Sequence, residues 1–140
     1  MTGLMAGKRG LIMGLANDKS IAWGIARALA DQGAEIALSY QGEQLLKRVQ
    51  PLAQKIGVTE IIECDVADEA SMDALFARLE KVWGKIDFLV HAIGFSDKNE
   101  LRGRYVDTSA ENFRMTMDIS VFSFTSAVKR ASALMTEGGS

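Results

Sequence analysis

The sequence predicts an α/β fold in which a parallel β-sheet carries helices on both faces. Short apolar segments alternate with longer segments whose apolar residues recur at helical spacing. Glycines follow several of the helical segments, as expected where a helix ends. The connections between successive apolar segments are long enough for crossover helices, so the strands are predicted to run parallel with right-handed connections.

Four strands are predicted, each followed by a helix. The predicted strands cover residues 10–14, 35–40, 60–64 and 86–93. The predicted helices cover residues 21–32, 43–56, 71–82 and, after a capping-box pattern at 108–111, a long segment running towards Met135. The first helix has its apolar period at Ile21, Ile25, Ala28 and Leu29. Pro51 lacks a backbone donor, so a kink or local break is expected within the second helix.

This order of elements predicts one mononucleotide-binding half of a Rossmann-type doubly wound sheet, plus the first strand of the other half, with strand order 3-2-1-4. No repeat or linker divides the chain. Residues 1–140 are therefore expected to form a single dinucleotide-binding domain. The far edge of strand four would have no partner, so the domain is expected to be incomplete at its C-terminal end.

Composition excludes several classes of partner. The 140 residues are 48% hydrophobic and 24% charged, as in one globular domain. A net charge of −2 gives no electrostatic footprint for nucleic acid or an anionic membrane. One cysteine excludes an internal disulfide, and no signal peptide or membrane span is evident. The chain is therefore expected to be cytoplasmic, with no nucleic-acid or membrane partner.

The turn after the first strand is the first candidate binding site. Gly14 and Gly24 bracket it, and Ser20 stands where it can cap the helix and offer its hydroxyl to a phosphate. The turn lacks the G-x-G-x-x-G spacing of dinucleotide-binding motifs. A plain βα-turn with a capping serine explains these residues equally well.

Polar residues at the ends of strands two and three form the second candidate site. Gln41 stands where an acidic residue binds the adenosine ribose in many NAD enzymes and a basic residue accommodates the phosphate of NADP. Because Gln41 is neutral, it favours NADH over NADPH; the alternative is a surface turn. After strand three, Asp65 can accept a hydrogen bond from adenine and Val66 can pack on the adenine face. The alternative for Asp65 is capping of the next helix, a role for which Asp68 competes.

The loop after strand four is the third candidate site. Ile93 and Gly94 would let the backbone pass close to the ribose on the nicotinamide side of a dinucleotide. His91, the only histidine, alternates onto the same face as Leu89 and Ile93, so a packed structural role is predicted for it.

Tyr40 and Lys47 have the Tyr-x6-Lys spacing that some reductases use for catalysis. That pairing requires both residues on one helix face. Tyr40 is predicted to end a strand, so the spacing is predicted to be coincidental. Tyr105 has no lysine four or seven residues after it and cannot substitute.

In combination these residues resemble the bacterial enoyl-acyl-carrier-protein reductases, a divergent branch of the short-chain dehydrogenase/reductase superfamily. The resemblance spans essentially all 140 residues. The segments that carry it are Gly14 with Ser20-Ile21-Ala22-Trp23-Gly24, Tyr40-Gln41, Cys64-Asp65-Val66, Lys81-Val82-Trp83 and His91-Ala92-Ile93-Gly94-Phe95. The usual superfamily turn, T-G-x-x-x-G-I-G, is absent, and Ala92 stands where the family usually has a serine.

The resemblance implies NADH as the cofactor and, as the substrate, an enoyl thioester carried on acyl carrier protein. It places cofactor contacts at Gly14, Ser20, Ile21, Gln41, Asp65, Val66, Ile93 and Gly94. It places the first substrate contacts at Phe95 and Ser96, and it implies no metal. The implied reaction, part of type II fatty-acid biosynthesis, is hydride transfer from the nicotinamide to the β-carbon of a trans-2-enoyl thioester, with a tyrosine stabilising the enolate.

The family's catalytic tyrosine and lysine follow a fifth strand, so no catalytic residue is expected among these 140 residues, and the chain is expected to be part of a longer enzyme. Alone, it is expected to bind NADH weakly and not to turn over. A carbonyl or alcohol dehydrogenase of the same superfamily and a non-catalytic nucleotide-binding module are the alternatives. The resemblance also implies a homotetramer, and the apolar face formed by Phe113, Met117, Val121 and Phe124 could serve either an interface or the core.

Overall fold

The computed structural model describes residues 2–140 as alternating strands and helices. The strands are β1 (Arg9–Met13), β2 (Glu35–Tyr40), β3 (Glu60–Glu63) and β4 (Phe88–His91). The helices are α1 (Ile21–Asp31), α2 (Glu43–Lys55), α3 (Glu69–Trp83), α4 (Ala110–Met117) and α5 (Ser123–Leu134). A single π-helical turn, Asp118–Phe122, joins α4 to α5. Within the described residues, no helix has both the length and the apolarity needed to cross a membrane.

The four strands form one parallel sheet in the order β3-β2-β1-β4, which confirms the predicted Rossmann-type topology. β1 lies at the centre, where Leu11 is in register with Ala37 of β2 and with Leu89 of β4. Because all four strands run the same way, the loops that follow them meet at one edge of the sheet. That edge holds every residue predicted to bind a cofactor.

Side chains of β1 alternate between two cores, one on each face of the sheet. Leu11 and Met13 pack with α3 and α5, whereas Ile12 packs with α1 and α2. The apolar residues that recur at helical spacing in the third predicted helix are all buried in α3: Met72, Leu75, Phe76 and Leu79. The doubly wound arrangement therefore buries both faces of the sheet, as a parallel sheet requires.

The predicted apolar face of α1 is confirmed in part, because Ile25 and Leu29 pack against the core but Ile21 and Ala28 are exposed. The helix buries Ala22, Trp23 and Ala26, whereas Ile21 is 78% exposed. Trp23 offers the largest apolar surface in the helix, and its burial sets the rotation about the helix axis. Ile21 is thereby left on the surface at the start of α1.

The expected break at Pro51 is also absent, because α2 runs without interruption from Glu43 to Lys55. Pro51 lies on the exposed side of the helix. The carbonyl that loses its intrahelical partner belongs to Lys47, which is exposed as well, so water can satisfy it.

The start of α4 is capped differently from the predicted box. The N-cap is Ser109, whose hydroxyl oxygen accepts a hydrogen bond from the Asn112 amide at 3.1 Å. The Ser109 amide and hydroxyl donate to the carboxylate of Glu100, at 2.6 and 2.8 Å. In a capping box, a Glu or Gln in the first turn of the helix accepts the hydrogen bond from the N-cap amide. Here Glu100, which precedes the helix, is the acceptor instead.

The far edge of β4 is partly paired rather than bare. Ile86 forms a parallel bridge with Met135, just after α5. Farther along, the Leu89 amide donates to the Ser140 carbonyl at 2.9 Å. The segment after α5 therefore runs back along the edge of β4. The strand β4 itself is shorter than predicted, because its regular pairing with β1 covers residues 88–91 rather than 86–93.

The Asp87 carboxylate joins three parts of the chain at the amino ends of the strands. It accepts hydrogen bonds from the Arg9 amide at 2.8 Å and from the Thr136 hydroxyl at 2.7 Å. These bonds, the one from Arg9 first, lower the pKa of Asp87 below its usual value because they favour the ionised form. β1, β4 and the segment after α5 are tied together by one ionised group.

Replacing Asp87 with asparagine should make stability less sensitive to acid. A lowered folded-state pKa contributes stability that is present above the unfolded-state pKa and is lost as the pH falls through the folded value. At neutral pH the variant should lose about 1–2 kcal/mol of unfolding free energy through the weakened hydrogen bonds. Urea unfolding at pH 7 and at about pH 3.5 measures both effects. Equal losses on acidification in the two proteins would contradict this role.

Candidate functional site

The carboxyl edge of the sheet contains a small cavity at which the ends of all four strands meet. Its volume is about 100 Å³. The lining comes from the turn after β1, the end of β2 and the loops after β3 and β4: Gly14, Leu15, Ala16, Ser39, Tyr40, Gln41, Leu45, Cys64 and Ile93. Three residues predicted to bind a cofactor, Gly14, Gln41 and Ile93, are thus brought together in one place.

Gly14 marks the closest approach between the turn after β1 and the loop after β4. Its φ angle of +102° lies in the left-handed region that favours glycine. A Cβ atom at this position would overlap the carbonyl group of Ala92. The Ala92 amide donates to the Met13 carbonyl at 3.1 Å, which continues the β1–β4 pairing into the two loops. The backbone leaves no room for a side chain at residue 14.

Ser20 occupies the N-cap position of α1, but its side chain does not cap the helix. Its hydroxyl oxygen instead accepts hydrogen bonds from the Ala16 and Asn17 amides, both at 3.0 Å. The serine therefore orders the turn, and its hydroxyl proton is available to donate outwards. The first amides of α1 carry no side-chain cap and remain suited to an anion. Exposed Ile21 lies at this same helix end.

Asp65 and Val66 lie just beyond the cavity, after β3. Oδ1 of Asp65 accepts from the Ala67 amide at 2.9 Å, and Asp68 is the residue that caps α3, accepting from Ala70. Asp65 is thus free of the capping role considered for it. Val66 is half-buried, packed against the core on the α3 side of the sheet.

His91 is packed between β4 and α5, in the structural role that counting along the strand predicts. Its Nε2 atom lies 2.7 Å from Ser123 Oγ, and its ring meets Phe124 edge-on with centroids 5.5 Å apart. The Ser123 hydroxyl donates to the Ile119 carbonyl at 2.5 Å, so Nε2 must carry the proton of the His91–Ser123 bond. Burial lowers the pKa of His91, which favours the neutral ring.

The helix that packs beside β4 carries a row of hydrogen-bonding side chains that sequence reasoning missed. We call this row the polar stripe; its members are Asn112, Thr116, Ser120 and Ser123. The spacing of four, four and three residues places them on one face of α4, the π-helical turn and α5. That spacing was visible in the sequence, but each residue alone reads as an ordinary polar helix position.

The polar stripe holds the chain that leaves β4. Ser120 Oγ accepts from the Phe95 amide at 3.0 Å and donates to the Phe95 carbonyl at 3.2 Å. Ser96 Oγ accepts from Asn112 and Thr116, both at 3.1 Å. Oδ1 of Asn112 accepts from the Asp97 amide at 2.9 Å. Both predicted substrate-contact residues, Phe95 and Ser96, are therefore anchored to the same helix.

Beyond this anchored segment lies a wider cleft of about 430 Å³ between the loop and α4. Its walls include Ser96, Leu101, Tyr105, Phe113 and Met117.

Across residues 2–140, no group of three or more histidine, cysteine or acidic residues is placed to hold a metal ion. Tyr40 ends β2 whereas Lys47 lies in α2, so their catalytic-looking spacing is coincidental, as predicted.

Comparison with known proteins decides the family. A family model described as "Enoyl-(Acyl carrier protein) reductase" matches residues 14–140. The chain is 63% identical to the NADH enoyl-acyl-carrier-protein reductase 1 of Rhizobium meliloti, over 99% of this chain and 51% of the relative. The chain belongs to the enoyl-acyl-carrier-protein reductase family. It spans about half the length of the curated relatives it matches.

Solved structures of the family have the same fold over this segment. The enoyl-acyl-carrier-protein reductase of Anaplasma phagocytophilum in complex with NAD gives a TM-score of 0.95 at 55% identity, covering 99% of this chain and 54% of that one. The reductase of Bacillus cereus, in complex with NADP+ and an indole naphthyridinone, gives a TM-score of 0.92 at 38% identity, covering 98% and 54%.

The enoyl-acyl-carrier-protein reductase fold should depend on glycine at position 14 but not at position 24. Gly14→Ala adds a Cβ atom where the backbone is left-handed and the Ala92 carbonyl is in the way, and should cost about 2 kcal/mol or more of unfolding free energy. Gly24→Ala is the matched control, because Gly24 lies in α1 with open space around it, and it should stabilise by about 0.5–1 kcal/mol. Thermal or urea unfolding compares the two. Similar effects at both positions would contradict the close approach at Gly14.

Proposed function

We propose that this chain is the cofactor-binding part of an NADH-dependent enoyl-acyl-carrier-protein reductase. One observation carries the proposal: in a member of this family, the loops after all four strands converge at one edge of the sheet around Gly14, Gln41 and Ile93. Residues 1–140 would then form a single dinucleotide-binding domain that is completed by further chain. The curated relatives are about twice as long and carry this activity in their names.

The residues at this edge suit a dinucleotide. The uncapped amides of α1 and the free proton of Ser20 would bind the pyrophosphate, next to the backbone of Gly14. Ile21 would be covered by the bound molecule. Asp65 and Val66 would contact the adenine, Gln41 its ribose, and Ile93 with Gly94 the nicotinamide side. When bound, the cofactor supplies the hydride.

Charges at the end of β2 support NADH over NADPH. Burial raises the pKa of the Tyr40 hydroxyl, and the nearby carboxylates of Glu63 and Glu43 raise it further. The same two carboxylates would repel the additional phosphate of NADPH. Gln41 offers hydrogen bonds to a ribose but no positive charge to offset that repulsion.

On the substrate side, Phe95 and Ser96 would form the first contacts with the enoyl thioester. The cleft between this loop and α4, lined in part by Leu101 and Met117, has apolar walls suited to an acyl chain. The donor that stabilises the enolate would come from chain beyond residue 140. This part of the protein would therefore supply binding and orientation, while proton donation to the product lies elsewhere.

The full-length protein should oxidise NADH when given a crotonyl or longer enoyl thioester. Loss of absorbance at 340 nm follows the reaction, with a ketone in place of the enoyl thioester as the control. Replacing Gln41 with arginine should improve kcat/KM for NADPH by about tenfold, because a positive charge then faces the additional phosphate. Activity on ketones alone would contradict the proposed function. An unchanged NADPH preference in the variant would contradict only the role of Gln41.

We also propose that the protein is a cytoplasmic homotetramer, as the family resemblance implies. The face formed by Phe113, Met117, Val121 and Phe124, called here the apolar face, lies outside the core that residues 2–140 form. Phe113 and Met117, at one end of it, also line the cleft beside α4. Its four side chains are between 43% and 51% exposed. A row of large apolar side chains on one helix surface is typical of a protein–protein interface, and this supports the proposed assembly.

Val121→Glu should lower the mass of the assembly in solution. In a symmetric interface the same face of two copies meets, so each substitution introduces facing like charges. Val106→Glu is the matched control, since Val106 is the same residue type and is also exposed (69% against 50% for Val121) but lies outside the apolar face. Light scattering coupled to size-exclusion chromatography measures the mass. A monomeric wild-type protein, or an unchanged mass in Val121→Glu, would contradict the interface.

A further inference from the structure

We propose that Ser120 is a positioning residue that sets where Phe95 stands relative to the bound cofactor. The inference rests on the proposed function, because it treats Phe95 as a substrate contact. It adds Ser120, whose two hydroxyl bonds both go to the backbone of Phe95. Its effect passes through the backbone of the loop after β4.

The geometry at Ser120 is a two-point attachment. One hydroxyl group serves both polar backbone atoms of a single residue, accepting from the Phe95 amide at 3.0 Å and donating to its carbonyl at 3.2 Å. With both bonds made, the peptide groups on either side of Phe95 are fixed in position and in orientation. A residue without a hydroxyl loses both bonds at once.

Packing does little to hold this segment. The Phe95 side chain is 54% exposed. Gly94 is exposed too, and a Cβ atom built on it would meet only the Ser120 hydroxyl, at 4.0 Å. Because apolar contacts are sparse here, hydrogen bonds from the polar stripe order the loop, and the two bonds made to Phe95 itself both come from Ser120.

The π-helical turn connects the helix to β4 by hydrogen bonds at this point. The Ser123 amide bonds the Asp118 carbonyl five residues back, which leaves the Ile119 carbonyl without its usual α-helical partner. The Ser123 hydroxyl fills that place at 2.5 Å and accepts from His91 on the other side. Ser120 lies inside this closed turn, so its own position is fixed by β4 as well as by the helix.

The Ser120→Ala variant of the full-length protein tests the proposal. A second variant, Ser120→Thr, restores the hydroxyl. Ser132→Ala is the matched control, because that serine lies on the exposed side of α5 and bonds only the Lys129 carbonyl of its own helix. Three quantities are measured: amide exchange at Phe95, the dissociation constant of NADH, and kcat/KM for an enoyl thioester.

In Ser120→Ala we expect amide exchange at Phe95 to accelerate by at least about fivefold, while amides of β1 are unchanged. We expect kcat/KM for the enoyl thioester to fall about tenfold and NADH affinity to change by less than about threefold, because the lost bonds act on the substrate side. Ser120→Thr should recover most of kcat/KM. Ser132→Ala should match the wild-type protein in all three measurements.

Unchanged exchange at Phe95 would overturn the attachment itself, whatever the activity. Faster exchange with unaltered kcat/KM, or an equal loss of NADH affinity and kcat/KM, would overturn the positioning role. A wild-type protein that reduces no enoyl thioester would refute the proposed function and with it the catalytic consequence of Ser120. The exchange measurement would still decide whether Ser120 holds the loop.

Discussion

The close approach of Gly14 to the Ala92 carbonyl is the constraint on which the whole carboxyl edge depends. β1 is the central strand, and its pairing with β4 continues one step past both strands through the Ala92 amide. The turn towards α1 therefore begins in contact with the loop after β4. Only a residue without a side chain permits this contact. The cavity between Gly14, Gln41 and Ile93 exists because the first and fourth loops are held at this short separation.

Hydrogen bonds order the loops on both sides of this edge. On one side the Ser20 hydroxyl accepts hydrogen bonds from two amides of the turn after β1. On the other side the polar stripe forms hydrogen bonds with residues 95–97 after β4. Because the backbone is fixed by these bonds, large apolar side chains such as Ile21 and Phe95 can stay exposed there. A ligand that covers them gains apolar contact without first having to order the loops.

The sheet order and the buried face of α3 could be predicted because periodicity and the parallel-strand rule are local or topological. The same rule explains why Gly14, Gln41 and Ile93, found separately at three strand ends, line one cavity. In two of the places where prediction was wrong, a contact from outside the element decided the outcome. Glu100 replaced the expected partner in the cap of α4, and Ser140 returned along β4.

Other features could not be predicted because the sequence offers no distinct signal for them. The π-helical turn has the same residue types as an α-helix, and only the pairing of Ser123 with Asp118 reveals it. The rotation of α1 depended on whether Trp23 or Ile21 reached the core, which the spacing alone leaves open. The role of Ser20 in ordering its turn, instead of capping, likewise depends on where the Ala16 and Asn17 amides point.

The position of α5 links the site to the rest of the fold. The side chains that α5 buries are mostly small, so the helix can lie close to α3. Arg130 then joins the two helices, donating to Glu69 at 2.7 Å and to Asp73 at 2.8 Å from a side chain that is only 16% exposed. A planar donor bonded to two carboxylates fixes direction as well as distance. The π-helical turn that holds Ser120 runs directly into α5. The packing of α5 against α3 therefore helps to set the position of Ser120 and, through its hydrogen bonds, of Phe95.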